Sequence, residues 1–184
     1  MIIVCDLAMI EILYNLYLWL LLALVFNIGH TLFHVAFFRG YNGKYSHISD
    51  GIVGYLGALC VLIFIYMDRG TVQFPKSIAI PIGITLFVGG IYIHFKAQLD
   101  FHKYSKEMTL VNKGIYRHFR HPMYLGWSIA VIGVVIAARS FLGLATLWIW
   151  ILFIVICGYL EEVKLRDDLP EGKYDDYSKK TWLY

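Results

Sequence analysis

An all-α integral membrane protein of about five transmembrane helices is the fold class this sequence predicts, and two observations carry it. Of the 184 residues, 59% are hydrophobic and only 16% are charged, whereas a soluble domain is normally about 25% charged. The apolar residues also run in blocks: no Asp, Glu, Lys or Arg falls within 12–38, 51–67, 77–95 or 140–160. Roughly 20 mostly apolar residues cross the ~30 Å of hydrocarbon in a bilayer, and these blocks meet or approach that length. The chain is read as a single membrane domain, 1–184, with spans at about 12–38, 52–67, 77–95, 122–138 and 140–159.

The first span is too long for the apolar core of a signal peptide, lacks a basic stretch before it, and follows Asp6 and Glu11; it is expected to be retained as a helix. Spans two and three hold Gly51, Gly54, Gly57, Ala58, Gly83, Gly89 and Gly90. Small residues let helices approach closely in lipid, so these mark helix contact surfaces. Pro81, near the start of the third span, is a place for a kink. Pro122 suits the first turn of the fourth helix, which runs about 25 Å before Arg139. The fifth begins almost at once, so 122–160 reads as a tight helical hairpin whose two ends return to the same side. Cys5, Cys60 and Cys157 lie far apart in apolar stretches and read as small buried hydrophobes.

Charge sets the expected orientation. Arg39 and Lys44 follow the first span; Lys96, Lys103, Lys106, Lys113, Arg117 and Arg120 follow the third; Lys164, Arg166, Lys173, Lys179 and Lys180 follow the fifth. Thirteen basic residues thus share one side, against Arg69, Lys76 and Arg139 on the other. The positive-inside rule puts the 96–121 loop and the C-terminal tail in the cytosol and the N-terminus outside.

The polar chemistry gathers in those two cytosolic segments. Arg120 and His121 stand immediately before a helix starting at Pro122. Free N–H groups at a helix N-terminus beside Arg and His make a ready anion site; a basic cluster resting on anionic headgroups is the alternative. At the end of the fifth span, Glu161 and Glu162 are adjacent carboxylates at the edge of hydrocarbon, where charge is costly. Adjacent helical residues point about 100° apart, so one can face the bundle and one water. Glu162 can pair with Arg166 at i,i+4, which leaves Glu161 as the inward candidate; a solvated amphipathic tail is the bland reading.

Together these segments resemble a known family. Gly114, Tyr116, Arg120, His121, Pro122, Tyr124 and Gly126 form G-x-Y-x-x-x-R-H-P-x-Y-x-G, and Glu161, Glu162, Leu165, Gly172, Tyr174 and Tyr177 form E-E-x-x-L followed by G-x-Y-x-x-Y. Both are similar to signatures of the isoprenylcysteine carboxyl methyltransferases and their phospholipid methyltransferase relatives. The resemblance implies a cytosolic S-adenosylmethionine pocket in the 94–184 part, lined by Gln98, Met108, Thr109, Leu110, Val111, Tyr116, His121, Pro122, Met123, Tyr124 and Glu161. Arg120, His121 and Glu161 are the residues it implies for the reaction. The implied partner is a prenylated cysteine, or another lipid-borne acceptor, within membrane lipid; no nucleic acid is expected. Relatives acting on prenylated cysteine carry Arg four residues before the first Glu, where this chain has Cys157.

Rival readings are a phospholipid amine N-methyltransferase, an NADPH-dependent sterol reductase, which shares an R-H-P-x-Y-like stretch, and a non-catalytic membrane scaffold. His30 and His34 stand at i,i+4, and His118 and His121 at i,i+3, but the chain has seven histidines, none adjacent. Di-iron membrane enzymes need more, including His-His pairs, so no metal is expected.

Overall fold

The computed structural model describes residues 2–38, 46–105 and 110–182. It is all-helical: α1 (Ile2–Phe38), α2 (Ser46–Met67), α3 (Lys76–Tyr104), α4 (Pro122–Ala138), α5 (Phe141–Asp168) and a short α6 (Lys173–Ser178). A 3-10 turn lies at Gly114–Arg117. Within these, Asn15–Phe33, Lys76–Tyr104 and Phe141–Asp168 are long and apolar enough to cross a membrane. Gly51–Met67 and Pro122–Ala138 are apolar but shorter.

Two helices outrun the apolar blocks that announced them. α3 continues past Phe95 to Tyr104 because the i,i+4 pair of Lys96 and Asp100 and good helix formers such as Ala97, Gln98 and Leu99 sustain it. The whole stretch 96–104, expected as loop, is therefore helix. Likewise α5 runs through Glu161 and Glu162 to Asp168 and stops before Pro170, which cannot continue a helix. α3 also runs unbroken through Pro81.

Glycine sets the closest helix pair. An added Cβ at Gly90 would lie 2.5 Å from the Gly126 carbonyl, and one at Gly83 would lie 2.5 Å from that of Gly133. Both pairs repeat at seven residues along antiparallel α3 and α4, so the two backbones touch along a seam. α1 and α2 also meet at glycines: a Cβ at Gly54 would contact the His30 ring, and one at Gly57 the Asn27 amide. Leu16, Ala23, Phe64, Ile65, Val135 and Trp150 fill the core between α1, α2, α4 and α5. Cys60 and Cys157 are buried; Cys5 lies outside the residues whose side chains are described.

The hairpin turn is only Arg139-Ser140. Arg139 adopts the left-handed conformation (φ 54°) that ends α4, and Ser140 caps α5 by accepting from the Gly143 N–H at 2.8 Å. Asp68, buried at the end of α2, accepts from Ser140 Oγ and from the Leu142 N–H, both at 2.7 Å. With α4 and α5 tied at this end, their other ends stand side by side and carry the polar residues.

Candidate functional site

The segment entering α4 is pinned from both sides. Val111 and Tyr116 bury themselves against Ala97 of α3, with Met123 packed beside them. Leu110 is buried against Leu169 and Tyr174 of the tail. Gly114 takes a positive φ (60°), and the Asp100 carboxylate occupies the space its missing side chain leaves, accepting the Ile115 N–H at 2.9 Å. On the tail side, the Tyr177 hydroxyl donates to the Tyr116 carbonyl at 2.8 Å. Trp182 closes the arrangement, its N–H donating to the His118 carbonyl and its carbonyl accepting from the Arg120 N–H, each at 2.8 Å. Loop and tail thus form one unit over the ends of α4 and α5.

Inside that unit the four charged motif residues converge. Arg120 Nη1 lies 3.0 Å from Glu162 Oε1, and His121 Nε2 is 3.1 Å from the same oxygen. Arg166 approaches the other oxygen of Glu162 at 3.5 Å. Tyr124 donates its hydroxyl to Glu161 Oε1 at 2.6 Å, while His121 Nδ1 stands 3.5 Å from Glu161 Oε2. Each ring nitrogen of His121 therefore faces its own carboxylate.

The orientation of the glutamate pair differs from the sequence expectation. Glu162 is the buried one, at 6% exposure, while the Glu161 side chain is 36% exposed. The Glu162–Arg166 pair at i,i+4 is present, but on the face that the tail covers: Arg166 lies 4.8 Å over the Tyr174 ring and 3.4 Å from Asp175. Arg120 and His121, just before α4, meet Glu162, while Tyr124 in the first turn of α4 meets the more exposed Glu161.

The other expected residues divide. His121, Pro122, Tyr124 and Glu161 lie at or beside the cluster, and Arg120 within it. Leu110, Val111, Tyr116 and Met123 build its apolar support. Gln98 is half-buried on α3 and takes no part in the cluster among the described residues; Met108 and Thr109 lie outside the described residues. Asp100 was not anticipated, although a lone carboxylate four residues after Lys96 was a visible signal. Tyr174 and Tyr177, noted only as motif letters, prove to be the tail's contacts.

Burial, with the nearby Glu162 carboxylate adding to it, raises the Tyr174 phenol well above its ordinary range, and burial likewise raises Tyr116. Burial pushes Tyr177 from 10.0 up to about 12. A raised folded-state value means that the neutral phenol's stabilisation is complete below pH 10 and lost as pH climbs through about 12. The tail should therefore stay docked at pH 9 and release at higher pH, in step with tyrosinate absorbance near 295 nm. Tyrosinate forming near pH 10 throughout, with the tail still protected from protease, would contradict this.

Residues 78–168 match the phospholipid methyltransferase family. No curated protein and no solved structure matches the chain. The matched stretch runs from the start of α3 to the end of α5 and contains Asp100, Gly114, Arg120, His121, Tyr124, Glu161 and Glu162. Over this stretch, which holds both sides of the cluster, the chain is similar to the phospholipid methyltransferase family.

Proposed function

We propose that this membrane protein transfers a methyl group from S-adenosylmethionine to an acceptor carried by a lipid. The observation that carries the reading is the loop–tail cluster, where Arg120, His121 and Tyr124 meet Glu161 and Glu162. When bound, the cofactor supplies an electrophilic methyl on a sulfonium. The donor set fits such a molecule, which bears a carboxylate and two cationic groups. Glu161 and Tyr124 offer acceptors for the cationic parts. The N-terminus of α4 favours negative charge, and Arg120 Nε is a buried donor with no hydrogen-bond partner among the described residues. Glu162 holds Arg120 and His121 in place.

For the acceptor we take first the C-terminal carboxylate of a prenylated cysteine. A carboxylate is ionised at neutral pH, so the protein's task is to position it and exclude water, without a base. A lipid amine is the second reading, favoured by two observations. Cys157 is buried with its Sγ 3.8 Å from Thr31 Oγ1, where a carboxylate-binding Arg would otherwise stand, and the matched family is described by phospholipid methylation. An amine must lose a proton first, and on this reading the partly exposed Glu161 carboxylate is the base we assign to take it.

The two products separate these readings. A methyl ester releases methanol in mild alkali, and its formation from a farnesylcysteine analogue should proceed at a nearly flat kcat between about pH 6.5 and 8.5. A base-stable product from phosphatidylethanolamine, with a rate that climbs about tenfold per pH unit, would select the amine. Turnover of neither acceptor would overturn the reading. The thirteen basic residues support a cytosolic site, so cysteines placed at positions 104 and 175 should both be labelled from the cytosolic face. Labelling from opposite faces would sink the composite site.

A further inference from the structure

At the end of the bundle opposite the glutamate cluster, an apolar groove of about 350 Å³ opens on the outer surface between α2, α3 and α4. This lies within the roughly 300–1,000 Å³ of ligand-sized clefts. Tyr66 and Phe87 form its walls and Ile84, Val134 and Ala138 line it. The groove exists because Gly83 and Gly133 bring the α3 and α4 backbones into contact beneath it, leaving no side chain to fill the space above.

Its mouth is cationic. Arg69 is exposed and lies 4.0 Å over the Tyr66 ring, donating to the Tyr66 carbonyl at 3.0 Å. Arg139 is held close by, donating to the Phe74 carbonyl at 3.2 Å, with Nη2 3.4 Å from the point where a Cβ on Gly70 would sit. The carboxylate of Asp68, next to Arg69 in the chain, is turned into the N-terminus of α5, where Ser140 and Leu142 occupy it. Neither guanidinium forms an ion pair among the described residues.

We propose that this groove is a binding site for an anionic phospholipid, one acyl chain lying along the α3–α4 seam and the phosphate at Arg69 and Arg139. Apolar walls alone would take any lipid chain; the two uncompensated guanidiniums select a negative headgroup. Because the groove spans α3 and α4, and α4 meets the glutamate cluster at its other end, an occupant that binds only the folded state also stabilises the helix that carries half of the site. This inference stands apart from the methyl acceptor, which would be handled at the opposite end.

The test is native mass spectrometry of the full, delipidated chain in detergent with dioleoylphosphatidylglycerol or dioleoylphosphatidylcholine, which share acyl chains. One phosphatidylglycerol should be retained per chain, at least tenfold more tightly than phosphatidylcholine. Arg69→Gln should reduce phosphatidylglycerol to near the phosphatidylcholine level. Val134→Trp, which fills the groove, should remove both while Arg69 remains. If that variant loses its helical circular dichroism, Ile84→Trp on the exposed rim makes the same test. Equal retention of the two lipids would overturn the proposal. So would undiminished phosphatidylglycerol binding in the filled groove, since that would mean surface charge alone.

Discussion

Glu162→Ala is expected to destabilise the folded chain by about 3–5 kcal/mol, the range for removing one partner of a buried ion pair. The Glu162 side chain is 8% exposed and shares its carboxylate among Arg120, His121 and Arg166. Without it, three cationic or polar groups lose their counter-charge beneath the tail. S-adenosylhomocysteine binding should fall at least tenfold, or about 1.4 kcal/mol, because Arg120 and His121 would no longer be held. Glu161→Ala should leave stability almost unchanged, since that carboxylate is 36% exposed and its shortest bond is to a neutral phenol; its loss should appear in cofactor binding instead. Thermal unfolding in detergent and calorimetry separate the two. Equal destabilisation by both substitutions would refute the assignment of Glu162 as the anchor.

Gly114→Val is the other change expected to be severe. The backbone there has φ 60°, and a Cβ would fall 2.2 Å from Asp100 Oδ2. A β-branched residue in that conformation carries strain on the order of 1–3 kcal/mol. Displacing Asp100 forfeits its hydrogen bond to Ile115, a further ~1 kcal/mol. Tyr116 would then lose its seat on Ala97, and the Tyr177 hydroxyl its acceptor. Residues 105–119 should become protease-sensitive and S-adenosylhomocysteine binding should drop at least tenfold, while the helical content stays. Asp100→Ala should reproduce the loop opening in milder form, because glycine at 114 remains unstrained. A Gly114→Val protein with full binding and a protected loop would show that the Asp100 clamp does not position the site.

What the sequence made legible were features governed by local chemistry. Pro122 at the first turn and the abrupt restart at Ser140 mark the hairpin, and Gly54, Gly57, Gly83 and Gly90 mark contact surfaces, whereas Gly51 and Gly89, expected to do the same, meet nothing among the described residues. The two motifs named the residues that converge at the site, whose convergence is a property of the hairpin. Helix ends were less legible: the apolar pattern stops at Phe95, but helix propensity does not, and α3 runs to Tyr104. Which glutamate faces inward was not legible at all. Two adjacent carboxylates look alike until Arg120 and His121, just before α4, choose a face, and that choice belongs to tertiary packing. Asp100 escaped for a similar reason, because its partner is a backbone N–H exposed only by the positive φ of Gly114.

The central claim, that the loop–tail cluster is an S-adenosylmethionine site, is tested most directly by calorimetry of the purified chain with S-adenosylhomocysteine and, in parallel, NADPH. Saturable binding of one S-adenosylhomocysteine, weakened at least tenfold by Arg120→Ala and by Glu162→Ala, and no heat with NADPH, is the expected result. Saturable NADPH binding with none of S-adenosylhomocysteine, or S-adenosylhomocysteine binding indifferent to both substitutions, would contradict it.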